Sequence, residues 1–281
     1  MSLVIKVMQQ VLLAALFSLS PIVAQENTIK LISKKNTTSV FMLPNVSELP
    51  ENTLRIYLTF SEPMAYGQVR ENIQLKDKNG NLLSNSFLNL GIELWDPMQR
   101  RLTLFFDPGR IKRGVGPNIY YGPPLKKGND YILTVSALMK NAKGVKLFED
   151  FNFLFSVGDP IRDQINIHDW KIIKPKYGTS DSLNIEFTRI LDIGNAKRMI
   201  NIVDHKEKKI NGRINYDGEV WKFYPEVPWN SNKIFLHVNP KIEDISGNSI
   251  VGKFDKKQSK EIKNSTKNKI IEINIFNERE I

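Results

Sequence analysis

The chain repeats itself. Phe60 to Asp77 (FSEPMAYGQVRENIQLKD) aligns without a gap on Phe187 to Asp204 (FTRILDIGNAKRMINIVD) at an offset of 127 residues. Both segments open on an aromatic–hydroxyl pair, carry a glycine near the middle (Gly67, Gly194) and end in an alternating run closed by Asp. A second block, Tyr131 to Leu147, lies on Ile234 to Ile250 at an offset of 103. Two copies of one supersecondary unit of about a hundred residues predict two similar domains in tandem. The 281 residues give room for both, each with its own core.

The local pattern is short runs of period-two alternation broken by turn residues, which predicts antiparallel β-structure. The first copy reads as strands at Leu54–Phe60, Asn72–Asp77, Arg101–Phe106, Tyr131–Ser136 and Phe151–Val157; the second at Leu183–Thr188, Ile200–Asp204, Val220–Tyr224 and Ile234–Val238. Gly80 and Gly144 fall where a turn needs positive φ. Glu62–Arg70 and Arg189–Arg198 are expected to form a helical turn or wide crossing, with Pro63 suited to a first helical turn. Ile271, Ile273 and Ile275 alternate with polar Glu272 and Asn274, and are expected to return as the last strand of the second copy, the place Phe151–Val157 fills in the first. An exposed Ile-rich strand would otherwise be an aggregation hazard.

Residues 1–24 read as a secretory signal peptide: Lys6, the apolar run Val11–Leu19, then a cleavage site at Ile22-Val23-Ala24. That run is shorter than the roughly 20 residues of a membrane span, so no transmembrane segment is expected in the mature chain. Residues 25–50 read as a leader strand and a linker, and Gly158-Asp159-Pro160 to about Asn166 as a hinge. The domains are then expected at 51–159 and 166–276, the second carrying a Lys-rich loop at 255–268. There is no cysteine, so disulfides, thiolate metal sites and a cysteine nucleophile are excluded. A net charge of +10 on an exported chain points to an envelope protein or an anionic surface polymer as partner rather than to nucleic acid.

Leu54-Arg-Ile-Tyr-Leu-Thr-Phe-Ser-Glu-Pro-Met64, followed by Asp77-Lys-Asn-Gly-Asn81 and, in the second copy, Asp244-Ile-Ser-Gly-Asn248, resembles a bacterial Ig-like domain of the S-layer type. The likeness covers about residues 50–254. Asn141-Ala-Lys-Gly144 is a degenerate form of the closing turn, and Phe187-Thr-Arg-Ile-Leu191 lacks the Glu-Pro-Met. The resemblance implies an all-β chain of two tandem Ig-like antiparallel β-sandwiches, used as a spacer or as an adhesion or binding module, with no cofactor.

The copies differ in one place. Between the strand at Leu102 and that at Tyr131 the first copy is longer by about 16 residues, the excess falling in Asp107–Gly128. This insertion holds Arg110, Lys112, Arg113, Lys126 and Lys127 against a single acid, with Tyr120 and Tyr121 beside them. A loop too long for its connection is commonly functional, and Arg and Tyr are the types that carry interface energy. Arg110, Lys112, Arg113, Tyr120 and Tyr121 are therefore the candidate partner-binding residues, set against a loop that only covers a sheet edge.

Catalysis finds little support. His168, His205 and His237 stand in no H-x-x-x-H or H-E-x-x-H arrangement, and no G-x-S-x-G occurs. His237 is out of phase with Ile234, Leu236 and Val238 and should face away from the core. Asp244, Asn248 and Glu243 offer too few oxygens for Ca²⁺, and an Asp in such a turn caps backbone N–H groups. The expectation is a non-enzymatic envelope binding or assembly module, in the periplasm or at the cell surface, with a structural spacer or a glycan-binding protein as alternatives. The glycan reading needs coplanar exposed rings; Trp95, Trp221 and Trp229 are the candidates, Trp229 being expected to be the most exposed of them.

Overall fold

A computed structural model describes residues 37–256 and 267–275. The segments expected to be a signal peptide, most of the expected leader and the middle of the Lys-rich loop lie outside the described residues. The chain is mostly β, in four sheets. Strands β1 (Val40–Leu43), β3 (Arg55–Phe60), β6 (Arg101–Phe105) and β5 (Leu94–Trp95) form the first, in the order β1-β3-β6-β5. β2 (Glu48–Pro50), β8 (Phe151–Gly158), β7 (Asp130–Val135) and β4 (Ile73–Asp77) form the second, in the order β2-β8-β7-β4. In the other half, β12 (Gly212–Asn215), β13 (Val220–Pro225), β10 (Leu183–Glu186) and β9 (Lys171–Ile173) make the third; β11 (Ile200–Asp204), β14 (Lys233–Val238) and β15 (Lys269–Asn274) make the fourth. Every named pairing is antiparallel except β2 with β8.

The repeat is reproduced in register. β4 and β11 keep the 127-residue offset at both ends, and β7 and β14 keep that of 103. The isolated bridges Lys76↔Leu82 and Val203↔Lys209 coincide under the first offset, and Lys140↔Lys146 and Glu243↔Ser249 under the second. Asn141 Oδ1 accepts from the backbone N–H groups of Lys143 and Val145, as Asp244 Oδ1 does from Ser246 and Asn248. The degenerate turn therefore keeps its geometry, because an amide oxygen can accept the same two bonds. β15 pairs with β14 as Ile271 and Ile273 led one to expect.

Within the stretch expected to be a leader strand and a linker, Val40–Leu43 and Glu48–Pro50 are strands, and Val40, Met42 and Leu49 are buried in the first core. Of the two forms expected for Glu62–Arg70, the stretch from Pro63 is a wide crossing. Residues 61–66 run past two other segments, with Met64 N–H donating to Gln99 O and Ala65 N–H to Lys140 O, so their backbone donors are already taken. The helices come later, α1 at Val69–Asn72 and its counterpart α4 at Ile193–Met199, each running directly into the next strand; between them in sequence lie two short helices, α2 (Pro108–Ile111) and α3 (Gly116–Tyr121).

Alternation explains the packing. Ile56, Leu58 and Phe60 of β3 face one core with Leu102, Leu104, Leu75, Leu133 and Phe155. A second core gathers Leu183, Ile185, Trp221, Phe223, Ile234, Leu236 and Ile273. The two cores interlock. Ile245, from the closing turn of the second copy, is buried in the first core, whereas Tyr57, on the outer face of β3, is buried in the second. The described residues from Val40 onward accordingly form one compact unit.

Candidate functional site

The insertion is a built arm. Asp107 accepts from Gly109 N–H and caps α2, with Pro108 opening the helix as its fixed φ favours. Ile111 and Leu125, 2% and 0% exposed, sink into the first core and fix the two ends of the arm. Gly114 and Gly122, at φ 73° and 68°, supply the left-handed positions that let α3 double back.

Arg110 braces this arm. Its Nε donates to Gly122 O at 3.0 Å, Nη1 to Asn85 O at 3.0 Å, and Nη2 to Pro123 O at 3.2 Å and Tyr121 O at 3.5 Å. Asn118 Nδ2 returns a bond to Arg110 O. A guanidinium engaged by four carbonyls holds shape rather than facing a partner, which reassigns Arg110 from the charge-assisted contact the sequence suggested. Arg113 donates from Nε to Asp255 Oδ2 at 3.1 Å, and Arg162 pairs with the same carboxylate. Lys112 is half-buried and Lys126 exposed. Lys127 pairs with Asp159 at 2.5 Å.

Tyr120 and Tyr121 are 81% and 73% exposed, and Ile119 beside them 68%. The sequence reading named both tyrosines but missed Ile119, whose only signal was an aliphatic residue inside a Pro/Gly-rich basic stretch. Three adjacent large side chains held in water on a braced arm form an apolar patch of the loop open to contact.

The other predicted residues are structural. Trp221 is fully buried, donating from Nε1 to Ala196 O, and Trp95 packs on the first core with Nε1 donating to Glu93 Oε2. Trp229 corrects the expectation of exposure: it is 3% exposed, its Nε1 donating to Asp181 O at 2.8 Å, because the loop folds it onto Phe223. These tryptophans therefore offer no coplanar exposed platform. His237 faces away from the core toward Glu207, at 3.5 Å.

One buried titratable cluster joins the two halves. Arg55 on β3 donates from Nε to Asp192 Oδ2 at 2.6 Å and from Nη2 to Glu243, and the Tyr57 hydroxyl donates to the same Asp192 oxygen. Asp192 also caps α4 through Asn195 N–H. Burial and the Asp192 charge push the Tyr57 phenol far above its ordinary range. Burial alone would lower the Arg55 pKa, but Asp192, Tyr57 and Glu243 raise it further still. Phenol and guanidinium thus hold their protons at any working pH, and the cluster is a clasp rather than an acid–base pair. Below it, burial pushes the Asp244 carboxyl up to about 6, opposed by the bonds it accepts from Asn248 and Ser246 and by Arg189.

The chain matches no family model and no curated protein. Among solved structures it is similar to domains 1–6 of the surface-layer protein SbsC, at 10% identity and TM-score 0.34, covering 79% of this chain and 26% of that one. It is similar to the MG0-NIE-MG1 span of Escherichia coli alpha-2-macroglobulin, at 12% identity and TM-score 0.29, over 73% and 66% of the two chains. It is also similar to the titin Ig tandem A164-A165, at 10% identity and TM-score 0.24, over 82% and 91%. The chain spans about a quarter of the surface-layer structure. Likeness at this level is too weak to bear on function.

Proposed function

We propose that this is an exported, non-enzymatic binding or assembly module of the cell envelope, two Ig-like sandwiches in tandem that present the arm at 107–128 to an envelope protein or an anionic surface polymer. The observation that carries the reading is the exposed Ile119-Tyr120-Tyr121 tip on an arm braced by Arg110. Ordering the arm before contact lowers the entropy lost on binding. Tyrosines supply broad, stiff contact area, and Lys112 and Lys126 add positive charge to the same arm.

The test is recovery of a partner from envelope extract by the wild type and by Ile119→Ser/Tyr120→Ser/Tyr121→Ser, with Arg110 untouched so that the arm stays folded. A partner held by the wild type and lost by the triple variant supports the reading; equal recovery by both removes the tip from it. A structural spacer is the second reading. It is favoured by the buried clasp of Arg55, Tyr57 and Asp192, which fixes one half against the other.

A further inference from the structure

β15 stands at the end of the fourth sheet, and its outer side is open. Ile275 N–H donates to Asn232 O at 2.8 Å, and from there the register runs from Lys233↔Asn274 to Val238↔Lys269. Peptide groups along an antiparallel strand face alternate sides. Ile271 and Ile273 therefore turn theirs to β14, and Ile270, Glu272 and Asn274 turn theirs outward. Among the described residues no backbone group bonds these outward ones.

The first copy covers the same position. Phe155 pairs with Tyr131 and Ile273 with Ile234, which match at the offset of 103, so β8 is the counterpart of β15 and Ser156 that of Asn274. Ser156 N–H donates to Ser47 O, and Glu51 N–H to Gly158 O, so the segment around β2 takes up that edge. At the other end of these sheets β4 and β11 are closed by the turns that follow them, Leu83 N–H donating to Leu75 O and Ile210 N–H to Ile202 O. An open edge is a template for another strand unless charge, proline or a bulge blunts it. β15 has no proline, and its charges are Lys269 at one end and Glu272, held by Lys233 at 2.8 Å.

The edge complements itself. With a two-fold axis at Ile273, Glu272 of one molecule stands opposite Asn274 of the other, and the pair can exchange backbone hydrogen bonds. Ile273 then faces its own equivalent and Ile271 faces Ile275, so no like charges are opposed along the strand. Lys267 and Lys269 lead into β15, and Glu278-Arg279-Glu280, of net negative charge, follows it. Antiparallel pairing sets unlike ends together; parallel pairing would set like ends together.

We infer that β15 is a dimerisation edge, pairing antiparallel with β15 of a second molecule of this chain and joining their two fourth sheets into one. The contact uses no residue of the arm at 107–128 and stands or falls apart from it.

Sedimentation equilibrium of the full chain up to the millimolar range, with amide hydrogen exchange on the same samples, tests this. The wild type is expected to pass from one chain to two as its concentration rises. Exchange at Glu272 and Asn274 should slow several-fold over that rise, while Ile271 and Ile273, already bonded to β14, stay unchanged. Glu272→Pro removes an outward N–H that β14 does not use and should abolish association, with circular dichroism confirming the fold. Ile119→Ser/Tyr120→Ser/Tyr121→Ser should associate as the wild type does. A wild type that remains a single chain throughout, or association that Glu272→Pro retains, overturns the edge. Association without slower exchange at Glu272 and Asn274, or association lost in the arm variant, overturns it too.

Discussion

Arg55 and Asp192 lie 137 residues apart in the chain and 2.6 Å apart in the fold, the guanidinium on an outer sheet face and the carboxylate at the cap of a helix. Their side chains are 12% and 2% exposed, so neither charge is hydrated in compensation for losing the other. Arg55→Met should therefore destabilise the chain by about 3–5 kcal/mol, the cost of leaving a buried charge without its partner. Urea unfolding checks it. The double variant with Asp192→Asn should lose less than the two single variants combined, because it buries no lone carboxylate.

Glu207 occupies a left-handed position, φ 61°, where its counterpart in the first copy is Gly80, φ 84°. Only glycine adopts that conformation without a Cβ penalty. Glu207→Gly is expected to stabilise by about 0.5–1 kcal/mol, and Gly80→Ala to destabilise by about 1 kcal/mol. No atom lies within 4 Å of a Cβ built on Gly80, so that cost is one of backbone conformation alone. Thermal melts of the two variants should move in opposite directions.

Asp244 holds its proton more tightly when folded, at about 6 against an ordinary 3.8. The stability this contributes is fully present below pH 3.8 and is lost as pH rises through about 6, by about 3 kcal/mol. Asp244→Asn removes the titration while keeping the side-chain oxygen that Asn141 uses at the same place in the first copy. Relative to Asp244→Asn, the wild type should lose stability across that window. Parallel denaturation midpoints for the two proteins would fail this prediction.

Arg110→Met should loosen the arm rather than unfold the protein. Its guanidinium meets four carbonyls, so the loss is about 2 kcal/mol. Trypsin should then cut after Lys112 or Arg113 at least several-fold faster than in wild type. Tyr120→Ser should change stability by less than about 0.5 kcal/mol, since the ring is exposed.

Repetition and alternation made most strands legible, because both are written in local sequence. β4 and β11 can be placed by comparing two stretches of chain, and the burial of Ile56 and Leu58 against Arg55 and Thr59 follows from period two. What could not be read depends on partners distant in sequence. A leader strand could be expected before residue 50, but that Val40–Leu43 would pair with β3 could not be read from those four residues. Trp229 is buried by a loop closing over Phe223, and Arg110 is spent on carbonyls of Asn85 and Gly122–Pro123 that no spacing rule links to it. The shortness of β5 shows only beside its longer counterpart β12.

The clasp also sets the order in which the two copies can stand. Arg55 and Tyr57 take up Asp192 and Glu243, yet under the same offsets the second copy has Ser182 and Asn184 where Arg55 and Tyr57 stand, and the first has Ala65 and Lys140 where the two acids stand. One copy is shaped only to receive and the other only to be received. The clasp therefore fits one order of the two copies, the first supplying the guanidinium and phenol and the second the carboxylates, and a second copy duplicated in place of the first would bring no cation to Asp192.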